Sequence, residues 1–331
     1  MSAPGIGIPA VDPEFDAAVG VALDEVEQQL LEAVKSDDAV LAEASRHLVQ
    51  AGGKRFRPLL ALTAAGFGEI DAPFVVPAAV GVELTHVATL YHDDVMDEAE
   101  LRRGAPSANA RWDNTVAILT GDYLFACASE IQADLGPESV RIQARTFQRL
   151  VRGQLHEVLG PGEDDDPVEH YLEVLSDKTA SLIATSAHLG ALHGGTSREI
   201  IETLSRFGER IGMAFQLADD LLDIAGESAL SGKTPGTDLR EGVATLPILY
   251  ARRSPRAGDE RLLELIDRPI VDDDIHAEAL TLLRAHPAME EARVEVLRWA
   301  ASARASLDGL PDIPARRALE LLCDVVVDRT S

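Results

Sequence analysis

Two short runs in this sequence place paired carboxylates one helical turn apart. Asp93-Asp94-Val95-Met96-Asp97 is the first, and Asp219-Asp220-Leu221-Leu222-Asp223 is the second. In each run the outer aspartates stand at i and i+4, so on a helix they share a face. Like charges at that spacing cost a helix roughly 0.2–0.5 kcal/mol per pair, and a bound cation would offset the repulsion. Oxygen-only ligands suit Mg2+, which keeps several waters and shares itself with substrate phosphates. One such run reads equally well as a solvated acidic face. Two, each embedded in an apolar helical stretch, point to metal binding.

Clustered cations stand near these acids in the chain. Gly52-Gly53-Lys54-Arg55-Phe56-Arg57-Pro58 ends one helix on two glycines and starts the next on a proline, with three cations between. A helix N-terminus flanked by Lys and Arg is an anion site; the plainer reading is an exposed basic turn. Arg102-Arg103-Gly104 follows the first aspartate run, and an arginine pair grips phosphate oxygens bidentately. It would otherwise cap a helix C-terminus. Ser176-Asp177-Lys178-Thr179-Ala180 lies within an apolar helical region, where Lys178 would otherwise snorkel from a buried face. Ser231-Gly232-Lys233-Thr234-Pro235-Gly236 is a glycine-punctuated loop with one lysine, of the kind that closes over a ligand or forms a plain surface loop.

The elements that must position these groups are helices. Phe15 to Val34 is amphipathic, with Phe15, Val19, Leu23, Val26, Leu30 and Val34 spaced for one face. A second helix is expected from Asp38 to Ala51. Before Asp93, the residues Leu84, Val87, Tyr91 and Val95 form an apolar stripe, with His86, Asp93 and Asp97 opposite. Thr89, Thr85 and Val82 lie within roughly 80° of Asp93 on the same projection. Later helices are expected over 277–285 and 289–307. No convincing run of alternating β-branched residues appears, so the class is all-α. The acids of Asp164-Asp165-Asp166 sit in a proline-bracketed turn, and Asp272-Asp273-Asp274 suits a helix start.

The chain has 331 residues, 46% of them hydrophobic, and a formal net charge of −26. That charge argues against nucleic acid as a partner. It also means that an anionic substrate needs a local reversal of the field. No apolar run approaches the ~20 residues of a membrane span, and no secretory signal is visible at the N-terminus. Cys127 and Cys323 read as buried thiols, and the whole is expected to be cytoplasmic. Residues 1–14 are expected to be a flexible tail, with 15–331 as one domain.

The runs GGKRFRP, HDDVMDEAELRRG, GDYLFA, DKTASLIATS, GMAFQLADDLLDI and SGKTPGTDL, in this order, resemble the trans-polyprenyl diphosphate synthases, most closely the bacterial long-chain members. The resemblance implies an antiparallel helical bundle around a deep cleft, usually a homodimer, with three Mg2+ in the active complex. It implies sequential condensation of isopentenyl diphosphate with an allylic diphosphate. Asp93, Asp94 and Asp97, with Asp219, Asp220 and Asp223, then hold Mg2+. Lys54, Arg57, His86 and Arg103 match positions for isopentenyl diphosphate. Arg102, Lys178, Thr179, Gln216 and Lys233 match positions on the allylic side, and Lys178 and Lys233 count with the aspartates as catalytic.

One departure stands out. The family usually carries a second lysine about ten residues after the first in the final loop, where this chain has Val243. Arg240 is the expected substitute. Ala88 and Thr89 occupy positions where short-chain members carry bulky aromatics, so with Thr85 they predict an open tunnel and a product of about C30 to C50. A quinone tail, menaquinone in particular, is the implied use, with transient membrane association for product release. The alternatives are a short-chain farnesyl or geranylgeranyl synthase, and a non-catalytic partner subunit, although such subunits tend to lose aspartates that this chain keeps. A terpene cyclase would need neither DDLLD nor the cations at Lys54, Arg57 and Arg103.

Overall fold

The computed structural model describes residues 9–226 and 235–329, and these are helical almost throughout. By internal contacts the chain divides into two compact units. The first runs to Gln148 and adds Leu182–Gly208 and Ser306–Leu321. The second is Arg149–Ser181, Glu209–Ala305 and the residues from Leu322.

In the first unit the central element is α4 (Val75–Met96), buried on nearly every side from Val75 to Tyr91. Helices apolar all round belong in the middle of a core. Around it lie α1 (Pro13–Ala33), α2 (Ala39–Gln50), α3 (Phe56–Ala65), the short α5 (Ala108–Arg111) and α6 (Asn114–Leu135), with α6 making the most extensive contact. The first helix begins two residues before the apolar stripe predicts. Asp12 caps it by accepting from the backbone N–H groups of Glu14 and Phe15, and Pro13 occupies the first turn. Asp38 caps α2 in the same way. Close helix approach depends on glycine in two places. A Cβ on Gly190 would stand 1.9 Å from the carbonyl oxygen of Ala61, and one on Gly81 would stand 2.5 Å from the Gln132 amide nitrogen.

The arginine pair after α4 does not simply end a helix. Leu101–Arg102 (β1) and Ala105–Pro106 (β2) form a small antiparallel hairpin, turned by Arg103 and Gly104, both at positive φ. That is the two-residue turn geometry whose twist matches paired strands.

Helix α7 (Pro137–Leu159) leads to α8 (Pro167–Leu175), which packs in the second unit against α12 (Leu246–Arg253). Residues Ser176–Ala180 form one π-helical turn before α9 (Ser181–His193), where an uninterrupted helix was expected. Such turns occur frequently at functional sites. The 28-residue α10 (Arg198–Ala225) carries the second aspartate run at its C-terminal end. The short α11 (Thr237–Glu241), α13 (Glu260–Leu265), α14 (Asp273–Ala285), α15 (Ala288–Ser306) and α16 (Pro314–Asp328) complete the chain. Asp272 caps α14, as its acidic start suggests. Both cysteines are free; Cys323 is buried, but Cys127 is only half-buried, because its position on α6 lies at the edge of that helix's packed face.

Candidate active site

The first aspartate run closes α4. Asp93 is half-buried in the last turn, Asp97 is the exposed C-cap, and Asp94 points inward with no exposed surface. Arg102 Nε donates to Asp94 Oδ1 at 2.5 Å, and Arg102 Nη2 lies 3.9 Å from Asp97. Asp94 Oδ2 is buried with no hydrogen-bond partner. Burial raises the Asp94 carboxyl above its ordinary range, and the Arg102 guanidinium offsets only part of that. Ala88 is fully buried one turn earlier, and Thr85 is buried a turn beyond that. Thr89 is half-buried and bonds the His86 carbonyl.

Two turns before the aspartates, the same helix meets the basic segment. The pair Gly52 and Gly53, both at positive φ, ends α2. A Cβ on Gly53 would stand 3.1 Å from the Arg103 guanidinium carbon, so glycine lets the guanidinium lie flat on the backbone. Arg103 Nη1 donates to the carbonyls of Leu48 and Gly52. Arg57 is half-buried, and its Nε finds no partner. Burial pushes the Arg57 guanidinium down to about 10. It also lowers Arg103, although Glu83 works in the opposite direction. His86 is held well below its ordinary value, first by burial and then by Arg57, Arg103, Arg102 and Arg55. A neutral imidazole thus sits among guanidinium groups. Lys54 is exposed beside them. Arg57, His86 and Arg103, expected together, are together.

Arg55 plays a different part. It is buried in the left-handed region at φ 48°, a conformation that costs a non-glycine residue about 1–3 kcal/mol. Its guanidinium bonds Glu27 from α1, Glu83 from α4 and the Val49 carbonyl. Burial opposes its charge, but Glu27 and Glu83 more than offset that and hold Arg55 above its ordinary value. Glu27 and Glu83 were not expected; neither stands near the basic segment in sequence.

The second aspartate run divides its work. Asp219 Oδ1 pairs with Arg329 at 2.6 Å, and that guanidinium lies 5.0 Å from the centre of the Phe215 ring. Asp220 is buried; its Oδ1 accepts from Gln216 at 2.9 Å and its Oδ2 accepts from the Tyr171 hydroxyl. Burial pushes the Asp220 carboxyl up to about 7, with Asp219 and Asp223 adding to the rise while the two hydrogen bonds oppose it. Asp223 accepts from the backbone N–H groups of Thr237 and Asp238 at 3.2 and 3.1 Å, at the start of α11. Burial, with Asp223 and Asp220, pushes Asp238 up to about 8.

The π-turn sets Thr179 so that its hydroxyl donates to Gln216 Oε1 at 3.3 Å. Lys178, one residue before, pairs with Glu157. Arg149 holds the turn by bonding Asp177 at 2.8 Å, Ser176 at 3.0 Å and Glu209 at 2.6 and 3.1 Å. Neither Tyr171 nor Arg149 carries a sequence signal beyond its type. Arg240, the expected stand-in at Val243, instead bonds Asp273 at 2.7 Å and the Val271 carbonyl. Lys233 lies outside the described residues.

Among the described residues no three His, Cys, Asp or Glu side chains form a ready-made metal cage. The donors in both turns are carboxylate oxygens without nitrogen or sulfur. Such a set fits Mg2+ bound through one or two carboxylates together with water and phosphate. Asp93 and Asp97 would hold it in the first unit, and Asp219 and Asp223 in the second. No helix among the described residues is long and apolar enough to cross a membrane.

Comparison with known proteins matches residues 38–283 to the polyprenyl synthetase family. The chain is 51% identical over 324 residues to nonaprenyl diphosphate synthase of Mycobacterium tuberculosis, covering 98% of this chain and 97% of that protein. It is 43% identical over 321 residues to dimethylallyltranstransferase of the same organism, covering 96% and 98%. Among solved structures, geranylgeranyl pyrophosphate synthase of Corynebacterium glutamicum, complexed with calcium and isoprenyl diphosphate, superposes with a TM-score of 0.85. It is 46% identical, and the match covers 96% of this chain and 98% of that one.

Proposed function

The chain belongs to the polyprenyl synthetase family, whose members are prenyltransferases, and from that premise we propose that it is a Mg2+-dependent long-chain trans-polyprenyl diphosphate synthase. It condenses isopentenyl diphosphate with an allylic diphosphate, head to tail and repeatedly. The observation that carries the reading lies on one helix. His86, among Arg57 and Arg103, and the Asp93–Asp97 turn are seven residues apart on α4, about 10 Å along the axis. One element therefore presents a cationic cup for one diphosphate and a carboxylate pair suited to a metal-bound second.

In the reaction the allylic C1–O bond breaks heterolytically and pyrophosphate leaves. The double bond of isopentenyl diphosphate attacks C1, and a proton is lost from the adduct to the departing pyrophosphate. Mg2+ bound at the aspartate turns would stabilise the charge on that leaving group. The chain's own residues orient the two diphosphates. Lys54, Arg57, His86 and Arg103 hold the isopentenyl diphosphate, with His86 neutral and able to donate a hydrogen bond. Thr179 and Gln216, with Lys178 released from Glu157, serve the allylic diphosphate, as do Arg102 and Lys233.

About three Mg2+ per site, a single functional domain over 15–331 and a homodimer belong to the same proposal. Exposed Ile118, Leu119, Val140 and Phe147 in the first unit supply apolar surface suited to a second copy. The product is proposed as a quinone side chain, menaquinone in particular. The test is incubation of the purified chain with farnesyl diphosphate, isopentenyl diphosphate and Mg2+, followed by chromatography. Condensation abolished by EDTA is expected. No consumption of isopentenyl diphosphate with any allylic primer would favour the non-catalytic partner subunit.

A further inference from the structure

The cationic cup is built around an acid whose purpose the reaction leaves open. Glu83 lies on α4 one turn before His86 and is 2% exposed. Its Oε1 accepts from Arg55 Nη1 at 2.9 Å and lies 3.9 Å from Arg103 Nη2. Its charge also acts on Arg57. A carboxylate so deep and so close to a proposed anion site opposes anion binding by simple electrostatics. Its presence there needs a compensating use.

The three arginines differ in what they have left to give. Arg55 is committed, with Nε and Nη2 on Glu27, Nη1 on Glu83 and Nη2 also on the Val49 carbonyl. Arg103 is fixed through Nη1 by two carbonyls, and its Nη2 stands beyond hydrogen-bond reach of Glu83. Arg57 keeps a buried Nε without a partner. These cations repel one another: Arg103 weakens the hold of Arg57 on its proton, and Arg55 and Arg102 weaken that of Arg103. Both Arg55 and Arg103 sit at positive φ, a backbone state that surrounding contacts must impose.

We propose that Glu83 is the positioning residue of the isopentenyl diphosphate site. It anchors Arg55 as a strut between α1 and α4, and it holds Arg103 by charge at a distance that leaves Nη2 available. It thereby keeps mutually repelling cations assembled before the diphosphate arrives. Arg55, although it lies between Lys54 and Arg57, is not a ligand. The proposal rests on the reading of this cup as the isopentenyl diphosphate site.

The test uses the full chain, with isopentenyl diphosphate binding measured by calorimetry without Mg2+ and steady-state kinetics alongside. No binding by the wild-type chain would sink the reading of the cup itself. Given wild-type binding, Glu83→Gln should weaken it about tenfold or more, since misplaced positioning groups cost up to about 10²-fold. KM for isopentenyl diphosphate should rise correspondingly, while KM for the allylic primer stays within about twofold. Glu27→Gln removes the other acid on Arg55 and should lower the melting temperature while leaving isopentenyl diphosphate affinity within about twofold. Glu83→Asp keeps the charge and should recover part of the affinity; it carries the test if the glutamine variant does not fold. Wild-type affinity in the Glu83 variants, or an equal loss in Glu27→Gln, overturns the proposal.

Discussion

Arg102 donates to Asp94 at 2.5 Å and stands 3.9 Å from Asp97, so one guanidinium answers two acids of the first aspartate turn. Only one of those acids is exposed. Asp94 has lost its solvent and keeps an unpartnered oxygen, whereas Asp97 is nearly half exposed. The two should therefore fail differently. Asp94→Asn takes from Arg102 its buried counter-charge, leaving only a neutral amide acceptor, and should destabilise the chain by about 1–3 kcal/mol in urea unfolding. Asp97→Asn should change stability by less than about 0.5 kcal/mol yet raise the Mg2+ concentration needed for half-maximal activity. Equal stability losses in both variants would contradict the division.

His86 links the cup to pH. Burial first, then four arginines, hold its imidazole well below the ordinary value, so the folded chain resists protonating it while the unfolded chain does not. Between the depressed value and about 6.5 the unfolded state binds more protons. Stability is therefore fully present above about 6.5 and is lost as pH falls below it. His188 and His193 are lowered by burial in the same direction. Asp94, Asp220 and Asp238, whose carboxyls burial raises, pull the other way over the same range, so the readout is a difference: from pH 6.5 to 5 the wild-type chain should lose unfolding free energy relative to His86→Gln. An unchanged slope in the variant would show that His86 does not carry that loss.

Much of this arrangement is legible in the sequence because it is local. The aspartate spacing, the glycine pair before Lys54, and Asp38 and Asp272 as caps all depend on residues within a turn or two of one another. Glu27 and Glu83 escape that reading because they meet Arg55 only after α1 and α4 have packed. The hairpin at Arg102–Ala105 is too short to show alternation. The π-turn at Ser176–Ala180 has ordinary helical composition, and the side chains that grip it, Arg149 and Glu209, lie on other helices. Asp220 reads as a third equivalent ligand, yet its carboxylate is taken up by Tyr171 and Gln216.

The π-turn gives a further test. A Cβ on Gly153 would stand 2.6 Å from the backbone nitrogen of Lys178, against a turn that Arg149 already holds rigid. Gly153→Ala should destabilise by about 1–3 kcal/mol through overpacking and should raise KM for the allylic diphosphate by displacing Lys178 and Thr179. Arg149→Lys keeps the charge but loses the bidentate fork and should reproduce the KM effect. A Gly153→Ala variant with wild-type kinetics and stability would remove the turn from the account.

Product length turns on the residues just above the first aspartates. Ala88 is fully buried, whereas Thr89 is half-buried and holds the His86 carbonyl through its hydroxyl. Both are small, which favours an open path for a growing chain beneath Asp93. The relatives do not decide the matter, since a nonaprenyl and a geranylgeranyl synthase are both similar along nearly their whole length. A bulky residue at Ala88 must displace packed neighbours, at about 1–3 kcal/mol. Thr89→Phe has some free surface to occupy and is the cleaner probe. With farnesyl diphosphate as primer, the wild-type chain should yield products of about C30 to C50, as the family resemblance and the small side chains imply. Thr89→Phe should shift the distribution shorter while leaving the first condensation intact, and Ala88→Phe should do the same with a loss of stability. Chromatography of the extracted products decides both points. A wild-type product no longer than C20 would mean that a deeper residue closes the path, and the long-chain reading would fall while the prenyltransferase reading stood.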